Sequence, residues 1–570
     1  MTNNALQCIV KIGTKIGKYN ITQIIDNMDD AMKDKLRFGD LKLYIQYIEK
    51  QYNVLQERIE GYENQRCTII EFCEKFLKNN TLIQYMMNIQ NILTSKNNNL
   101  FSSTLNLFKN TDKDYIMRLF LVPPEEVYLE LFYDCFMAQM KGFVVMEFSY
   151  YYLRLYGKGS FQNEINQLRK QNKKWYKEFS EVFLRFTQEF GHYQIWNATI
   201  SNWEKQSQTY DAITRLLQGF IQNEEALHDD KSCWKTCESF TKVTFRSYKG
   251  TKCDRKGCKG EIYDCKFVSD VLKICPSNFN SLRRYETINE MGRNSLCPSN
   301  PCSINNYWSF LVKCDYCFCI CDGADEFSDR YISLDPVFSD TTVNKVVTGI
   351  RLVKKNRIFF LKIQEGILGP YGVISNRNWV PVMYFKINQR NILKDVNYTT
   401  LTYDNRSLHL NTIILKDNLT VTGVKFVLRD GQIQLNVLGT KYDVRNGTLI
   451  NNNGQWFSSD KSKEELILQS PDVPIHDIFT FGNNKSLLRL RTDNGNNFIK
   501  FTHTDIEKDL AQTTIPYIDI REVTSTNGLL QGVGLMHKGN KGFGGFIAPL
   551  LINTSPYKMV QQYFRDFEEE

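Results

Sequence analysis

Beyond Cys321 the chain has no cysteine at all, although it carries 16 in total. Its six histidines are scattered singly, and no Gly-x-Ser-x-Gly, His-Glu-x-x-His or phosphate-loop pattern occurs. These absences leave no catalytic residue, metal ligand or cofactor site to assign. Long apolar runs are missing too. The most apolar segment, 136–157, contains Lys141, Glu147 and Arg154, whereas a spanning helix needs about 20 mostly uncharged residues. That segment reads as the central helix of a helical domain, and the chain is expected to have no transmembrane segment. Charge of one sign is not concentrated either. The net charge of +8 comes from scattered Lys and Arg, with no basic arm, which argues against dedicated nucleic-acid binding. The opening "MTNNALQCIVKIGTK" lacks an apolar signal-peptide core, so a secreted protein of this sequence would have lost its signal peptide.

What is present is uneven. Twelve cysteines fall between Cys233 and Cys321, and "KCDYCFCICDG" packs Cys314, Cys317, Cys319 and Cys321 into eight positions. Three chemistries compete. Zinc favours two separated pairs of cysteines with two residues between them. Cys314 and Cys317 fit that spacing; Cys253 and Cys258 are too wide, Cys233 and Cys237 have three residues between them, and Cys319 and Cys321 are left idle. A thioredoxin-like redox motif needs a βαβ context that is missing. Disulfides use all twelve without remainder: Cys233, Cys237, Cys253, Cys258, Cys265, Cys275, Cys297, Cys302, Cys314, Cys317, Cys319 and Cys321. A clustered, even set of this kind reads as a disulfide framework in an oxidising compartment. Pairing is not legible from spacing.

At 570 residues the chain is too long for one core, and three parts are expected, an α+β multidomain arrangement. Residues 1–229 read as an α-helical bundle of about five or six helices. Apolar residues recur at three- and four-residue steps in 40–65; "PPEE" at 123–126 starts a helix; further helical stretches are expected near 161–191 and 202–226. Residues 230–325 form a loop-rich, disulfide-stapled module with little core of its own. Residues 326–570 read as strands, with Val, Ile and Thr runs between Asn-Gly, Asp-Gly and Gly-Pro breakers.

That last part carries an internal repeat. "RYISLDPVFSDTTVNKVVTGIRLVKKNRIFFLKI" (330–363) aligns with "RSLHLNTIILKDNLTVTGVKFVLRDGQIQLNV" (406–437), and "YIDIREVTSTNGLLQGVGLM" (517–536) is a degenerate third copy. Arg330 matches Arg406, Tyr331 matches Tyr517, and Gly349 matches Gly423 and Gly532. Three copies, each too small to bury its apolar face alone, predict pseudo-threefold packing. A β-prism is expected, with a β-trefoil or β-sandwich as the alternatives. The repeated glycine is expected at a bulge or a close approach between strands.

The stretches "RLYGKG" (154–159), "TRLLQGFIQNE" (214–224), "SDRYISLDPVFSD" (328–340), "VVTGIRLVKKNRI" (346–358), "FTHTDIEKDLAQTTIPYIDI" (501–520) and "HKGNKGFGGFIAP" (537–549) resemble an arthropod family of secreted proteins known only as a domain of unknown function. The resemblance runs from about residue 130 onward. It implies an extracellular protein of insect type and brings no catalytic residues with it.

Candidate ligand contacts are few. Trp379 and Trp456 lie at similar places in their repeats, amid Asn-rich sequence. An aromatic platform with amides beside it suits a sugar; the plainer reading is that both rings pack at the ends of the prism. The loop 537–546 could form an anion-binding nest assisted by Lys538 and Lys541, or simply connect two strands. "HTD" (503–505) with His537 is read as turn and strand capping rather than an acid–base cluster. The acidic "CDGADE" (321–326) lacks the ligand alternation of a calcium loop. Nine glycosylation sequons occur, of which Asn197, Asn397, Asn405, Asn418, Asn446 and Asn553 are candidates. The expected function is a secreted, non-enzymatic binding protein whose partner is a cell-surface or matrix glycan or glycoprotein. A membrane-active, pore-forming-like protein able to contact a membrane surface is the alternative, and an extracellular hydrolase comes third.

Overall fold

The computed structural model describes residues 35–60, 66–78, 80–95, 102, 124–188, 193–195 and 207–555, the last span omitting 254–255, 279, 294–296, 298–299, 451–452, 460–463, 469–470, 472–496, 526–527 and 539–543. Among these residues five long helices come first: α1 (Lys35–Glu60), α2 (Arg66–Lys78), α3 (Thr81–Thr94), α4 (Pro124–Leu155) and α5 (Gln162–Thr187). Pro124 opens α4, with Glu125 and Glu126 in its first turn, where a missing N–H costs nothing and acids meet the positive end of the helix. Each of the other four helices packs against α4. On α5 the buried residues Ile165, Leu168, Trp175, Phe179, Val182, Phe183 and Phe186 form one stripe. Phe179 and Phe183 stack on Phe132 of α4, at 4.4 and 3.4 Å between ring centroids. The segment 136–157 is therefore the bundle's central element. None of the described helices is long and apolar enough to cross a membrane.

The helical part ends sooner than its sequence pattern predicts. The described part of 202–226, from Ser207 on, is not one helix. It holds strands Tyr210–Asp211 and Gln218–Asn223 and a single turn, α6 (Glu224–Leu227). Every residue of Gln218–Asn223 is buried. Its sequence, Gln-Gly-Phe-Ile-Gln-Asn, is no apolar run: the amides of Gln218 and Gln222 are buried because they donate to the distant carbonyls of Leu282, Gln512 and Lys249, which local periodicity cannot foretell.

The middle part is strand-rich rather than loop-rich. Tyr316–Gly323 pairs with Gln218–Asn223 on one side and Cys258–Phe267 on the other, and Lys242–Tyr248 completes a four-stranded sheet. It does have a core, built largely of sulfur. Cys237, Cys258, Cys265, Cys317, Cys319 and Cys321 cluster with Phe220, Leu227, Phe240, Val243, Tyr248 and Ile262. The six disulfides are Cys233–Cys314, Cys237–Cys317, Cys253–Cys302, Cys258–Cys321, Cys265–Cys319 and Cys275–Cys297. All four cysteines of "KCDYCFCICDG" thus reach out to four different partners. Cys317, Cys319 and Cys321 sit two apart, so they project from one face of a single strand.

Among the described residues the C-terminal part has three main sheets, each built on one hairpin: Lys345–Lys355 with Ile358–Leu368, Leu419–Arg429 with Gln432–Asp443, and Leu530–Lys538 with Phe546–Asn553, besides a two-stranded ribbon of Thr502–His503 with Thr514–Ile515. Each hairpin receives a short parallel strand, at Tyr331–Ser333, Ser407–His409 and Tyr517–Asp519 respectively. Each also receives an edge strand from another repeat. Val337–Phe338 of the first repeat joins the second hairpin, Thr412–Ile414 of the second joins the third, and Val523–Thr524 of the third joins the first. The exchange is cyclic and closes after three steps. Cross-strand pairs Ile350–Ile363, Val424–Val437 and Val533–Leu551 occupy matching registers, and all six residues are buried in one core. This is the threefold, prism-like arrangement the repeats predict.

Candidate functional site

The strand exchange explains the repeated glycine. Gly349, Gly423 and Gly532 each sit directly after a bulge in the first strand of the hairpin. Each faces the incoming strand so closely that a Cβ would lie 3.0 Å from the Val523 carbonyl oxygen, 3.0 Å from that of Val337 and 2.4 Å from that of Ile413. One residue earlier, the carbonyls of Thr348 and Thr422 accept hydrogen bonds from the N–H groups of Ser525 and Ser339, and that of Gln531 from Leu415.

The same register places the two tryptophans. Gly349 is opposite Gln364, which is opposite Trp379 on a third strand. Gly423 is opposite Leu438, which is opposite Trp456. The two indoles are therefore structurally equivalent, and both are half-buried. Two residues beyond each glycine stands a cation. The Arg351 guanidinium lies 5.0 Å from the Trp379 ring centroid, and the Lys425 ammonium 4.4 Å from that of Trp456. Both are cation–π contacts. Arg351 also pairs with Glu522 at 3.0 Å, while Phe338 approaches Trp456 at 5.9 Å. The third repeat breaks the pattern. Opposite Gly532 comes Ile552 and then Gln194, with Gly534 at the cation position.

Beside Trp379, the Asn378 amide donates to Glu365 at 3.3 Å and Lys345 pairs with the same carboxylate at 2.6 Å. Burial pushes the Glu365 carboxyl up, but Lys345, the Asp340 N–H and Asn378 outweigh it and hold the group below its ordinary value. Gln455, next to Trp456, is exposed. The arrangement offers an indole edge, a fixed cation and hydrogen-bonding side chains at two related places.

Other candidates fall elsewhere. Lys538 is buried, not displayed on a loop. Its ammonium lies 3.5 Å from Asp519, which Arg521 also engages at 2.7 Å, and burial pushes its pKa down to about 7. It cannot serve an exposed anion nest, and Lys541 lies outside the described residues. His537 is buried against the Gly544 carbonyl at 2.9 Å. His503 is held against the Thr504 carbonyl, and Asp505 caps α7 (Ile506–Asp509) by accepting the Lys508 N–H. In the acidic stretch, Asp322 pairs with Arg330 at 2.5 Å and Asp325 with Arg215 at 2.7 Å. Among the described residues the one metal-capable grouping, Glu224 with Cys237 and Cys317, contains a disulfide.

Of the sequons, Asn405, Asn418 and Asn446 are exposed and Asn397 is half-buried, while Asn197 lies outside the described residues. Asn553 is fully buried, so it cannot carry a glycan in this fold; its hairpin strand hides it between Leu530 and Tyr193.

The sequence reading missed Arg330. It is 1% exposed and ties the cysteine-rich sheet to the first repeat through Asp322, the Gly323 carbonyl at 2.8 Å and the Leu401 carbonyl at 3.2 Å. Its match to Arg406 hid this, because Arg406 instead stacks on Tyr403 at 4.1 Å.

A protein-family model described as a domain of unknown function (DUF4803) matches residues 121–363. That span runs from α4 through the cysteine-rich sheet to the first hairpin. No curated protein matches the chain.

Proposed function

We propose that this is a secreted, non-enzymatic recognition protein whose threefold β domain binds a cell-surface or matrix glycan through Trp379 and Trp456. The observation that carries the reading is the pair of register-equivalent, half-buried indoles, each with a cation two residues past the bulge glycine. The cation takes one face of each ring and orients it. A sugar stacks on what remains and takes hydrogen bonds from neighbouring polar groups. Two such places on one rigid body favour a repetitive ligand, because the second contact is made at high effective concentration. Six disulfides support an extracellular setting, where they persist.

The test is a glycan array followed by titration of the best ligand against Trp379→Ala and Trp456→Ala. Each change is expected to weaken binding by about 1–3 kcal/mol, the loss of an aromatic anchor. Each should cost less stability than the ~3–5 kcal/mol typical of a fully buried aromatic. Large destabilisation of both variants with no glycan bound by the parent protein sinks the reading.

A further inference from the structure

An exposed apolar feature lies far from the tryptophan pair in sequence, on the two-stranded hairpin Tyr307–Ser309 with Val312–Cys314. Its two-residue tip is Phe310-Leu311. Phe310 is 101% exposed, Leu311 85% and Trp308 70%. Trp234, 79% exposed, follows Cys233, whose disulfide to Cys314 anchors the hairpin. Phe267 and Val271 are also exposed, and Lys313 of the hairpin lies over the Phe267 ring.

Nothing in the fold calls for these side chains at the tip. Phe310 has φ 61°, the conformation that a tight hairpin turn assigns to glycine, asparagine or aspartate. A phenylalanine there is strained and wholly in water, two costs with no packing in return.

We propose that this tip inserts into the interfacial zone of a phospholipid bilayer bearing anionic headgroups, docking the protein peripherally. Three features choose lipid over a protein partner. The tip is convex, so it suits a deformable apolar medium better than a preformed groove. Its residues follow the order found at membrane interfaces, with Phe and Leu outermost and Trp and Tyr behind them at headgroup level. Exposed lysines, Lys231, Lys235, Lys266 and Lys273, lie within three residues of Trp234, Phe267 or Val271 in the chain and offer contacts to anionic headgroups. Acids stand among them: Asp270 and Asp315 share Lys313, Glu225 accepts from Tyr307, and Asp229, Asp230 and Glu238 are exposed, so apolar insertion rather than net charge carries the docking. The disulfide holds the tip rigid, so little ordering entropy opposes insertion.

The test uses the full chain in co-sedimentation with phosphatidylcholine vesicles, with and without phosphatidylserine, comparing the parent with Phe310→Gly and Phe310→Ser/Leu311→Ser. The parent is expected to sediment with vesicles, more strongly when phosphatidylserine is present. Both variants should lose at least about tenfold in partitioning, in line with losing buried apolar surface. Phe310→Gly should at the same time melt at an equal or higher temperature, because glycine relieves the strained turn. Misfolding cannot produce that combination. Failure of the parent to sediment with either vesicle, or equal partitioning of parent and variants, overturns the proposal. So does tip-dependent self-association in sedimentation velocity without vesicle binding, which would make the patch a protein interface. Glycan titration of the same variants should be unchanged, which separates this outcome from the tryptophan site.

Discussion

At the scale of single residues, three glycines control the β domain, and the reason is steric rather than conformational. None of Gly349, Gly423 and Gly532 has positive φ; what each supplies is room for another repeat's backbone. Alanine at any of them must push back a carbonyl oxygen, and overpacking of this kind costs about 1–3 kcal/mol. Gly532→Ala is expected to be the worst, because its 2.4 Å approach is to backbone that cannot rotate away. Chemical denaturation of the three variants checks this. Equal stability of Gly532→Ala and the parent would show that the exchanged strand is not held as described. The tryptophans show the limit of residue-level reading. Their equivalence is legible in the repeat alignment, but the cation over each ring is not. Arg351 and Lys425 attract no attention as isolated basic residues.

Among the elements, the strand Tyr316–Gly323 does the most with the least. It is central in its sheet, and three of its residues carry disulfides, with a fourth at Cys314 just before it. Their partners lie 54–81 residues away in sequence, so the closed loops are long and the unfolded chain is strongly constrained. Replacing Cys265 and Cys319 together by Ala is expected to cost about 2–5 kcal/mol, read by thermal melting under non-reducing conditions. The same pairing limits thiol chemistry. With twelve of the 16 cysteines paired, a denaturing, non-reducing titration should find no more than the remaining Cys8, Cys67, Cys73 and Cys135. Twelve further reactive thiols would refute the framework.

For the whole molecule, the cyclic exchange makes the three repeats interdependent. No hairpin has its full set of neighbours without strands from another repeat. A chain ending at residue 513 loses Val523–Thr524 from the first sheet and leaves Thr412–Ile414 unpaired. The two remaining repeats are expected to lose their cooperative near-UV transition together, not to persist as a smaller domain. A truncated chain that still melts cooperatively would mean the repeats stand alone. The other parts are drawn into the same unit. Tyr193–Ile195 and Tyr210–Asp211 complete the third sheet, and Arg330 bolts the cysteine-rich sheet to the first.

The sequence alone determined the helical start, the disulfide chemistry and the threefold repeat, because each is written locally: a 3.6-residue stripe on α5, an even cysteine count, and the glycine that recurs as Gly349, Gly423 and Gly532. Tertiary structure decided what depends on partners distant in the chain. Gln218–Asn223 is a strand because it pairs with the cysteine strand at the edge of that sheet, which overrides its helix-like spacing. Lys538 reads as a solvated loop lysine and Asn553 as a glycan acceptor; Lys538 is buried against Asp519, and Asn553 lies in a strand flanked by Leu530 and by Tyr193–Ile195. The disulfide pairing was hidden for the same reason. Which sulfurs meet is set by strand register, and register is a property of the folded sheet.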